Sequence, residues 1–265
     1  MMEHRTEIRL LIDKLLLVIP EYRKQAEALL GNSVTERRLL RSLMNVFPPE
    51  RLRLLGQDFW TAQDALLSAE REEKGIVDAA TLPEYPGHSG MVLWQGDITR
   101  LRADAIVNAA NEALLGCFCP CHGCIDNAIH SAAGLQLRRE CHALMTKQGH
   151  PEPTGKAKLT KAYNLPAKYI LHTVGPIVQG AVTAEDEKLL RSCYRSCLEW
   201  AEANGLTSVA FCCISTGEFH FPNRLAAEIA IETVEDFLQT STTTKKVIFN
   251  VFKDQDAAIY QKLLR

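Results

Sequence analysis

From residue 91 to the end of the chain, short apolar runs alternate with segments of helical periodicity. The runs are rich in β-branched residues and bounded by turn residues, as buried strands are, and lie at residues 91–94, 105–107, 157–159, 169–173, 208–214 and 246–252. Helical patterns fall between and after them, at about residues 124–146, 184–204, 222–239 and 254–264. Strands separated by helices pair in parallel through crossover connections, so this alternation predicts an α/β fold with a mixed or mostly parallel sheet.

The first third of the chain carries helical patterns and no strand pattern. Apolar residues recur at helical spacing over residues 5–19. The run Ser33-Val-Thr-Glu36 has the pattern of a capping box, which predicts that a second helix begins there and runs toward Phe47. A third helix is predicted over residues 57–74. We therefore expect an all-helical N-terminal extension over residues 1–78.

A connection rich in Pro and Gly, residues 79–90, separates this extension from a second domain that we expect to span residues 90–265. In open α/β sheets, ligands bind in the loops that follow the carboxyl ends of the strands. We therefore expect the functional residues of the second domain in those loops.

Charge and apolar content exclude several classes of protein. The chain has 30 Lys and Arg against 32 Asp and Glu, a net charge of −2, whereas binding to nucleic-acid phosphates needs a basic excess or stripe. Its most apolar early run, residues 10–19, is interrupted by Asp13 and Lys14 and is shorter than the about 20 apolar residues that span a bilayer. The 9 cysteines, an odd number, without a secretion signal indicate a reducing compartment. We expect a cytoplasmic protein that binds neither membrane nor nucleic acid.

The strongest local signal is a run of closely spaced cysteines with one histidine, Gly116-Cys-Phe-Cys-Pro-Cys-His-Gly-Cys-Ile-Asp126, which we call the metal loop. Thiolate and imidazole are ligands that zinc prefers. One short loop rarely wraps a tetrahedron, so the run favours three protein ligands and an open fourth position, as in catalytic zinc sites. A closed structural zinc site and a metal-free cluster of redox-sensing thiols are the alternatives.

Three loops that follow predicted strands carry polar or small residues. In Gln95-Gly-Asp-Ile-Thr99, Asp97 either accepts a hydrogen bond from a ligand or caps an ordinary turn. The two carboxamides of Asn108-Ala-Ala-Asn111 either contact a ligand or serve the turn at the strand end. The small residues at 215–217 either leave backbone N–H groups free to bind an anion or form a glycine turn before the helix that Pro222 opens.

Asp126 lies at the start of the helix that begins near Cys124, where the helix dipole favours a carboxylate. At that position Asp126 would face a ligand bound by the loops that follow the strands. His130 follows one turn later, so we expect it to pack in the helix or to pair with Asp126 rather than to bind a ligand.

Taken together, these loops resemble those of the macrodomain family. The matching segments, in chain order, are Gly96-Asp-Ile-Thr99, Ala105-Ile-Val-Asn-Ala-Ala-Asn111, Asp126-Asn-Ala-Ile-His-Ser-Ala-Ala-Gly134, Ile170-Leu-His-Thr-Val-Gly-Pro176 and Ile214-Ser-Thr-Gly-Glu-Phe-His-Phe-Pro222. The resemblance covers about residues 90–265 and implies a three-layer α/β/α sandwich that binds ADP-ribose. Many members of the family hydrolyse the bond that joins ADP-ribose to a protein side chain.

The metal loop is similar to that of the zinc-containing branch of this family, Gly-Cys-Phe-x-Pro-x-His-x-Cys-Ile-Asp, where many other hydrolytic members have a run of glycines. This resemblance implies one Zn²⁺ per chain, bound by Cys117, His122 and Cys124, with Cys119 and Cys121 at variable positions. Members of the branch also carry a helical N-terminal extension. In microbes they are often paired with a sirtuin-like transferase that attaches ADP-ribose to a lipoyl-carrier protein, which the resemblance implies as a partner.

The resemblance further implies roles for individual residues. Asp97 would accept a hydrogen bond from the adenine amine, the Ile98 N–H would bind nearby, and Asn111 would contact the distal ribose. The residues that would wrap the diphosphate and the distal ribose are Ser215, Thr216, Gly217, Glu218 and Phe219. Asp126 and the metal would lie at the scissile anomeric carbon, with Asp126 as the residue that orients or deprotonates the attacking water.

These features lead to one main hypothesis and two alternatives. The main hypothesis is a zinc-dependent hydrolase that removes mono-ADP-ribose from modified protein side chains. A non-catalytic module with a structural zinc, which recognises ADP-ribose on a partner without cleaving it, is the first alternative. The second is an interaction protein with structural zinc whose helical extension recruits partners. Asp126 beside metal ligands favours the hydrolase, because a binding module has no need of a Lewis acid.

Overall fold

The computed structural model describes residues 4–31 and 33–265, and the helices and strands are numbered here within those ranges. The helices are α1 (Arg5–Val18), α2 (Arg23–Glu27), α3 (Ser33–Val46), α4 (Gln57–Lys74), α5 (Ile125–Ala133), α6 (Leu135–Gln148), α7 (Ala184–Ala203), α8 (Asn223–Thr240) and α9 (Asp254–Leu263). The strands are β1 (Val77–Asp78), β2 (Met91–Gln95), β3 (Leu101–Arg102), β4 (Ala105–Ala110), β5 (Ala157–Lys161), β6 (Tyr169–Val174), β7 (Ser208–Phe211) and β8 (Lys246–Val251).

Six strands form one mixed sheet, in the order β2-β8-β7-β4-β6-β5. The pairs β2–β8, β8–β7, β7–β4 and β4–β6 are parallel, and β5 runs antiparallel to β6 at the edge. In the pair β4–β6, Ile106 of β4 lies opposite Ile170 of β6. The predicted α/β fold with a mostly parallel, mixed sheet is therefore confirmed.

Helices cover both faces of this sheet. After β4, the chain passes through α5 and α6 to β5 at one edge of the sheet. After β6 and after β7, it passes through α7 and α8 and moves toward the other edge, which β2 forms. The connections from β6 to β7 and from β7 to β8 join parallel strands and are right-handed, which places α7 and α8 on one face of the sheet, and α5 and α6 lie on the other. The connections after β4 and after β7 lead toward opposite edges of the sheet, so a crevice forms between the carboxyl ends of these two strands. Such a place is called the switch point of the sheet, and ligands of open α/β sheets bind there.

The N-terminal helices have their own apolar core. Helix α1 packs against α3 and α4, and its buried positions Ile8, Leu11, Ile12 and Leu15 follow the predicted helical spacing. This core includes Leu135 of α6, so the helical segment packs onto the layer that contains α5 and α6. No helix in residues 4–31 or 33–265 is long and apolar enough to cross a lipid bilayer.

The single helix predicted over residues 124–146 is two helices, α5 and α6. They are separated at Gly134, which has a φ of 94°. A side chain there would be strained, and its Cβ would lie 2.7 Å from Nε2 of Gln63. The break follows from this contact with the helical segment, which the apolar periodicity does not report.

Two strand ends also differ from the prediction. Strand β4 continues to Ala110, so Asn108 lies inside a buried strand rather than in a loop after it. Strand β7 ends at Phe211, earlier than predicted, and the chain then enters a loop in which Ser215 has a left-handed backbone, with a φ of 63°. The polar side chain of Asn108 led to a predicted end of β4 that is too early, because backbone pairing continues past it. The apolar residues after Phe211 led to a predicted end of β7 that is too late.

The second predicted helix is α3, which begins at Ser33 and ends at Val46. Its predicted capping box depends on the side chain of Ser33, which lies outside the described part of the chain. The carboxylate of Glu36 accepts hydrogen bonds from Arg5, Arg9 and the backbone N–H of Gly31. Glu36 thus ties α1 to α3.

Candidate functional site

A cavity of about 520 Å³ opens at the carboxyl ends of β2, β4, β7 and β8, at the switch point of the sheet. This volume lies within the range of small-molecule binding sites. The structure brings all the residues with predicted site roles to its wall, namely Asp97, Ile98, Asn111, Cys117, His122, Cys124, Asp126, Ser215, Thr216, Gly217, Glu218 and Phe219. They meet because the carboxyl ends of neighbouring parallel strands share one edge of the sheet.

Asp97 follows β2 and has two environments for its two oxygens. Oδ1 accepts hydrogen bonds from the backbone N–H of Thr99 at 2.9 Å and from its hydroxyl at 2.6 Å, and so caps the short 3-10 helix Ile98–Arg100. Oδ2 lies 3.8 Å from Nζ of Lys74 at the end of α4. Oδ1 therefore caps the turn, as one of the two alternatives predicted. The side chain nevertheless lines the cavity.

Asp126, at the start of α5, is buried in the cavity wall. Its Oδ1 accepts a 2.8 Å hydrogen bond from Nδ2 of Asn108, and its Oδ2 accepts a longer one, 3.4 Å, from Nδ2 of Asn111. Burial raises the pKa of Asp126 to about 6, and the hydrogen bond from Asn108 opposes that rise. The carboxylate is therefore the dominant form at neutral pH, held by the two amides of the Asn-Ala-Ala-Asn run.

A second buried layer lies behind Asp126. Nδ2 of Asn108 lies 3.1 Å from Nδ1 of His172, whose Nε2 is 2.9 Å from the hydroxyl of Thr160. Burial lowers the pKa of His172 to about 3, so this ring is neutral. The two N–H groups of the Asn108 amide then point at Asp126 and at His172, which leaves Nε2 of His172 to donate to Thr160.

His130 is buried beside this layer, in agreement with the expectation that it packs in the helix. Its Nε2 lies 3.5 Å from Oδ1 of Asp126, and burial lowers its pKa well below the ordinary value. His130, Cys141 and His172 bring potential metal ligands together. Both ring nitrogens of His172 are already taken by Asn108 and Thr160, so two ligands remain, too few for a zinc site.

The metal loop brings three of its potential ligands together. Sγ of Cys117, a ring nitrogen of His122 and Sγ of Cys124 all lie within 4.8 Å of one another, and all three residues are half-buried. The distance from Sγ of Cys117 to Nδ1 of His122 is 3.8 Å. Two thiols and one imidazole that converge at the wall of an open cavity fit the donor set of zinc with a free fourth position.

The other two cysteines of the metal loop point elsewhere. Cys119 is exposed, and Sγ of Cys121 lies 3.6 Å from the carbonyl oxygen of Arg38 and 3.4 Å from the hydroxyl of Ser42, both on α3. Neither thiol belongs to the converging group.

Glu218 approaches the metal loop from the opposite side of the cavity. Its Oε1 lies 3.7 Å from Nε2 of His122, the ring nitrogen other than the one that faces Cys117. A carboxylate behind a metal-binding histidine fixes the tautomer and the orientation of the ring. The loop after β7 thus contacts a candidate ligand as well as lining the cavity.

The loop after β7 also offers an unsatisfied hydroxyl. Ser215 is buried, and its Oγ has no hydrogen-bond partner among the described residues. Gly175, after β6, lies against it so closely that a Cβ at that position would be 1.9 Å from this oxygen. The backbone N–H of Phe221 donates to the carbonyl of Ser215 at 2.9 Å and holds the loop in shape. A buried hydroxyl without a partner is a group that a polar ligand would satisfy.

Several residues of the cavity wall were not assigned a role from the sequence. They are Gly175, Cys212, Cys213, Asn250, Phe252, Lys253 and Asp256. Gly175 could have been found from the sequence, because it lies in one of the segments that resemble the family. The residues after β8 could have been found because the strand predicted over residues 246–252 ends there, and ligands bind where strands end. Phe252 is 74% exposed at the cavity, which is unusual for a phenylalanine at the end of a buried strand.

Comparisons with known proteins identify relatives of this chain. The sequence profile of the Macro domain family matches residues 107–230. The chain is 51% identical to a protein of Treponema medium named protein-ADP-ribose hydrolase, over 85% of this chain and 86% of that one. It is 42% identical to a Fusarium oxysporum protein named probable bifunctional ADP-ribose hydrolase/ADP-ribosyltransferase, over 85% of this chain and 40% of that longer one.

Solved structures show the same fold. A Trypanosoma brucei macrodomain in complex with ADP-ribose superposes with a TM-score of 0.63 at 33% sequence identity, over 82% of this chain and 90% of that one. The two sequence relatives each match 85% of this chain, at 51% and 42% identity. The chain belongs to the macrodomain family.

Proposed function

We propose that this protein is a zinc-dependent hydrolase that removes mono-ADP-ribose from modified protein side chains. One observation carries the proposal: buried Asp126 and the converging group Cys117, His122 and Cys124 lie on the wall of the same cavity. The relative from Treponema medium, which is 51% identical to this chain over 228 residues, is named protein-ADP-ribose hydrolase.

ADP-ribose is assigned to the cavity between the loops. Asp97 and Ile98 bind the adenine end, and Asn111 binds the distal ribose. The loop of residues 215–219 binds the diphosphate and the distal ribose, which the unpartnered hydroxyl of Ser215 supports. The ADP-ribose complex of the Trypanosoma brucei macrodomain supports the same ligand for this fold.

Asp126 is assigned as the general base. Its carboxylate, ionised at neutral pH, takes a proton from a water molecule whose oxygen forms a bond to the anomeric carbon of the distal ribose. The bond from that carbon to the protein side chain breaks, the departing group takes a proton from solvent, and Asp126 returns the proton that it accepted to solvent. Asn108 and Asn111 hold the carboxylate during this step. Zinc, held by Cys117, His122 and Cys124, would supply a Lewis acid at the scissile centre.

The protein partner is assigned as a mono-ADP-ribosylated protein, with a lipoyl-carrier protein modified by a sirtuin-like transferase as the specific candidate. The Fusarium oxysporum relative supports a pairing of hydrolase and transferase, because its name joins the two activities in one chain. Turnover of a modified lipoyl-carrier protein, compared with an unrelated mono-ADP-ribosylated protein, tests the specific candidate. Equal turnover of the two would contradict a dedicated partner.

The decisive experiment compares wild type, Asp126→Ala and chelator-treated wild type in turnover of a mono-ADP-ribosylated protein. We expect Asp126→Ala to lose about 10²-fold or more of the hydrolysis, the usual scale for a general base, while ADP-ribose still binds. Chelated protein should fail to hydrolyse while circular dichroism shows it folded. Cleavage at the wild-type rate by folded, zinc-free protein would make the metal structural, and binding without any cleavage would favour the non-catalytic module.

A metal analysis accompanies this experiment. The purified protein is expected to carry about one zinc per chain, because two thiolates and one imidazole converge at one point. The double variant Cys117→Ala, His122→Ala should retain almost none. Full zinc content in that variant would overturn the assignment of the ligands.

A further inference from the structure

Two buried asparagine side chains hold the backbone of the metal loop. Oδ1 of Asn45, on α3, accepts a 2.8 Å hydrogen bond from the backbone N–H of Cys121. Nδ2 of Asn127, on α5, donates to the carbonyl of Cys119 at 3.0 Å and to that of Cys117 at 3.5 Å. The loop is thus held at Cys117, Cys119 and Cys121, and the last of these points is bound by the helical segment rather than by the α/β layers.

The two amides are linked to each other. Nδ2 of Asn45 donates to the hydroxyl of Ser131 at 3.1 Å, and that hydroxyl donates to Oδ1 of Asn127 at 3.2 Å. Asn45 is 2% exposed and Asn127 is 5% exposed, so a broken hydrogen bond would leave a polar group of a buried asparagine unsatisfied. The chain Asn45–Ser131–Asn127 therefore fixes both amides relative to α3 and α5.

The loop needs such support because part of its backbone is unfavourable. Cys121 has a φ of 52°, in the left-handed region that a residue with a side chain enters at a cost. It directly precedes His122, a member of the converging group. The hydrogen bond from the Cys121 N–H to Asn45 holds this conformation, and with it the position from which His122 reaches the other ligands.

We propose that Asn45 is a positioning residue that preorganises the metal loop for its ion, so that the N-terminal helical segment is a working part of the metal site. The inference rests on the proposed function in one respect, that the metal loop binds zinc. Asn45 does not contact the ion. It holds the metal loop directly by its hydrogen bond to Cys121, and indirectly by its hydrogen bond to Ser131, which positions Asn127. Outer partners that orient metal ligands typically contribute about 10- to 100-fold to metal affinity.

The test uses the full-length protein as wild type, Asn45→Ala, Asn45→Asp and Gln63→Ala. Asn45→Asp keeps an oxygen that accepts from the Cys121 N–H but removes the amide N–H that donates to the Ser131 hydroxyl, so it separates these two contacts. Gln63→Ala is the matched control, because Gln63 is equally buried and bonds the helical segment to Gln136 and Leu135 of α6, away from the metal loop. Zinc affinity is measured by competition with a chromophoric chelator, and the visible spectrum of the Co²⁺-loaded protein reports the coordination geometry.

We expect Asn45→Ala to bind zinc about 10- to 100-fold more weakly than wild type and to change the Co²⁺ spectrum. Asn45→Asp should bind zinc more tightly than Asn45→Ala and more weakly than wild type, because it keeps the acceptor for the Cys121 N–H and loses the link to Ser131. Gln63→Ala should lower the unfolding temperature while keeping wild-type zinc affinity. ADP-ribose affinity of the metal-free proteins, measured by calorimetry, should be equal for wild type and Asn45→Ala. If Asn45→Ala does not fold, Ser131→Ala, which breaks the link between the two amides, should weaken zinc binding in the same direction.

Wild-type zinc affinity in Asn45→Ala, or in Ser131→Ala where that variant replaces it, would overturn this inference alone. An equal loss of affinity in Gln63→Ala would also overturn it, because the effect would then be general destabilisation. A wild-type protein that binds no zinc would overturn the proposed function together with this inference.

Discussion

At the scale of single residues, the metal loop divides neighbouring cysteines into two kinds. Cys117 and Cys124 converge with His122, whereas the thiol of Cys121 turns toward α3 and Cys119 is exposed. Cys121 has a left-handed backbone, with a φ of 52°, and its side chain leaves the loop toward α3. The pattern of the zinc-containing branch selects the same three residues that converge here.

A double variant tests this division. Cys119→Ser with Cys121→Ser is expected to leave zinc content and hydrolysis largely unchanged, because neither sulfur belongs to the converging group. Elemental analysis and turnover of a mono-ADP-ribosylated protein measure the two properties. Loss of the metal from this variant would indicate a closed, structural site with more than two thiolates.

Asp97 carries a prediction about the ligand. Asp97→Ala is expected to weaken ADP-ribose binding by roughly 1–3 kcal/mol, because a buried donor of the ligand loses its charged acceptor. Asp97→Asn is the control, since it keeps an oxygen for the cap on Thr99 and removes only the charge. Calorimetry measures both variants, and unchanged affinity in Asp97→Ala would refute the role of Asp97 in binding adenine.

At the scale of elements, α1 and α3 are joined by a buried cluster of charges. Glu36 has an exposed fraction of 0%, and its carboxylate accepts a hydrogen bond from Arg5 at 2.8 Å and one from Arg9 at 2.7 Å. These hydrogen bonds lower the pKa of Glu36 to about 2. Ionised Glu36 thus stabilises the packing of α1 against α3.

This cluster makes stability depend on pH in a defined direction. The pKa of Glu36 in the folded state lies below its ordinary value of 4.5, so its contribution is complete above pH 4.5 and disappears as the pH falls toward about 2. We expect Glu36→Gln to lower the free energy of unfolding at neutral pH, and the difference from wild type to shrink through that window. Urea unfolding at a series of pH values measures it. A difference that stays constant with pH would contradict the assignment.

At the scale of the whole molecule, two apolar cores meet along α6. Leu135 belongs to the core of the N-terminal helices and Leu137 to the core around the sheet. The buried guanidinium of Arg138 donates to the carbonyls of Met44 and Phe47 at 2.8 Å and 2.9 Å, and to that of Leu115 at 2.7 Å. Burial lowers the pKa of Arg138 to about 10, which leaves it charged at neutral pH.

Removal of the helical segment is therefore expected to destabilise the remainder of the chain. A chain of residues 79–265 would expose the apolar face of α5 and α6, and Arg138 would lose two carbonyl acceptors, each worth about 1.5–3 kcal/mol for a charged donor. Thermal unfolding of the two chains, monitored by circular dichroism, measures the effect. An unfolding temperature equal to that of the full chain would show that the two cores are independent.

Local patterns accounted for most of the elements. The period of apolar residues predicted α4 at its observed bounds and placed the strands of the main sheet, because burial on one face repeats with the geometry of the element. The order of strands and helices then predicted where the loops would meet. The residues selected for the site line one cavity for that reason, although their individual roles stay predictions.

Contacts between distant parts of the chain account for what the local patterns missed. The break at Gly134 depends on Gln63, the support of the metal loop depends on Asn45, and Asn108 is drawn into β4 by pairing with His172. Periodicity reports which face of an element is buried, but it carries no information about which other segment covers that face. Asn45 and Cys121 are 76 residues apart, so their hydrogen bond exists only once both apolar cores have formed and brought α3 beside the metal loop.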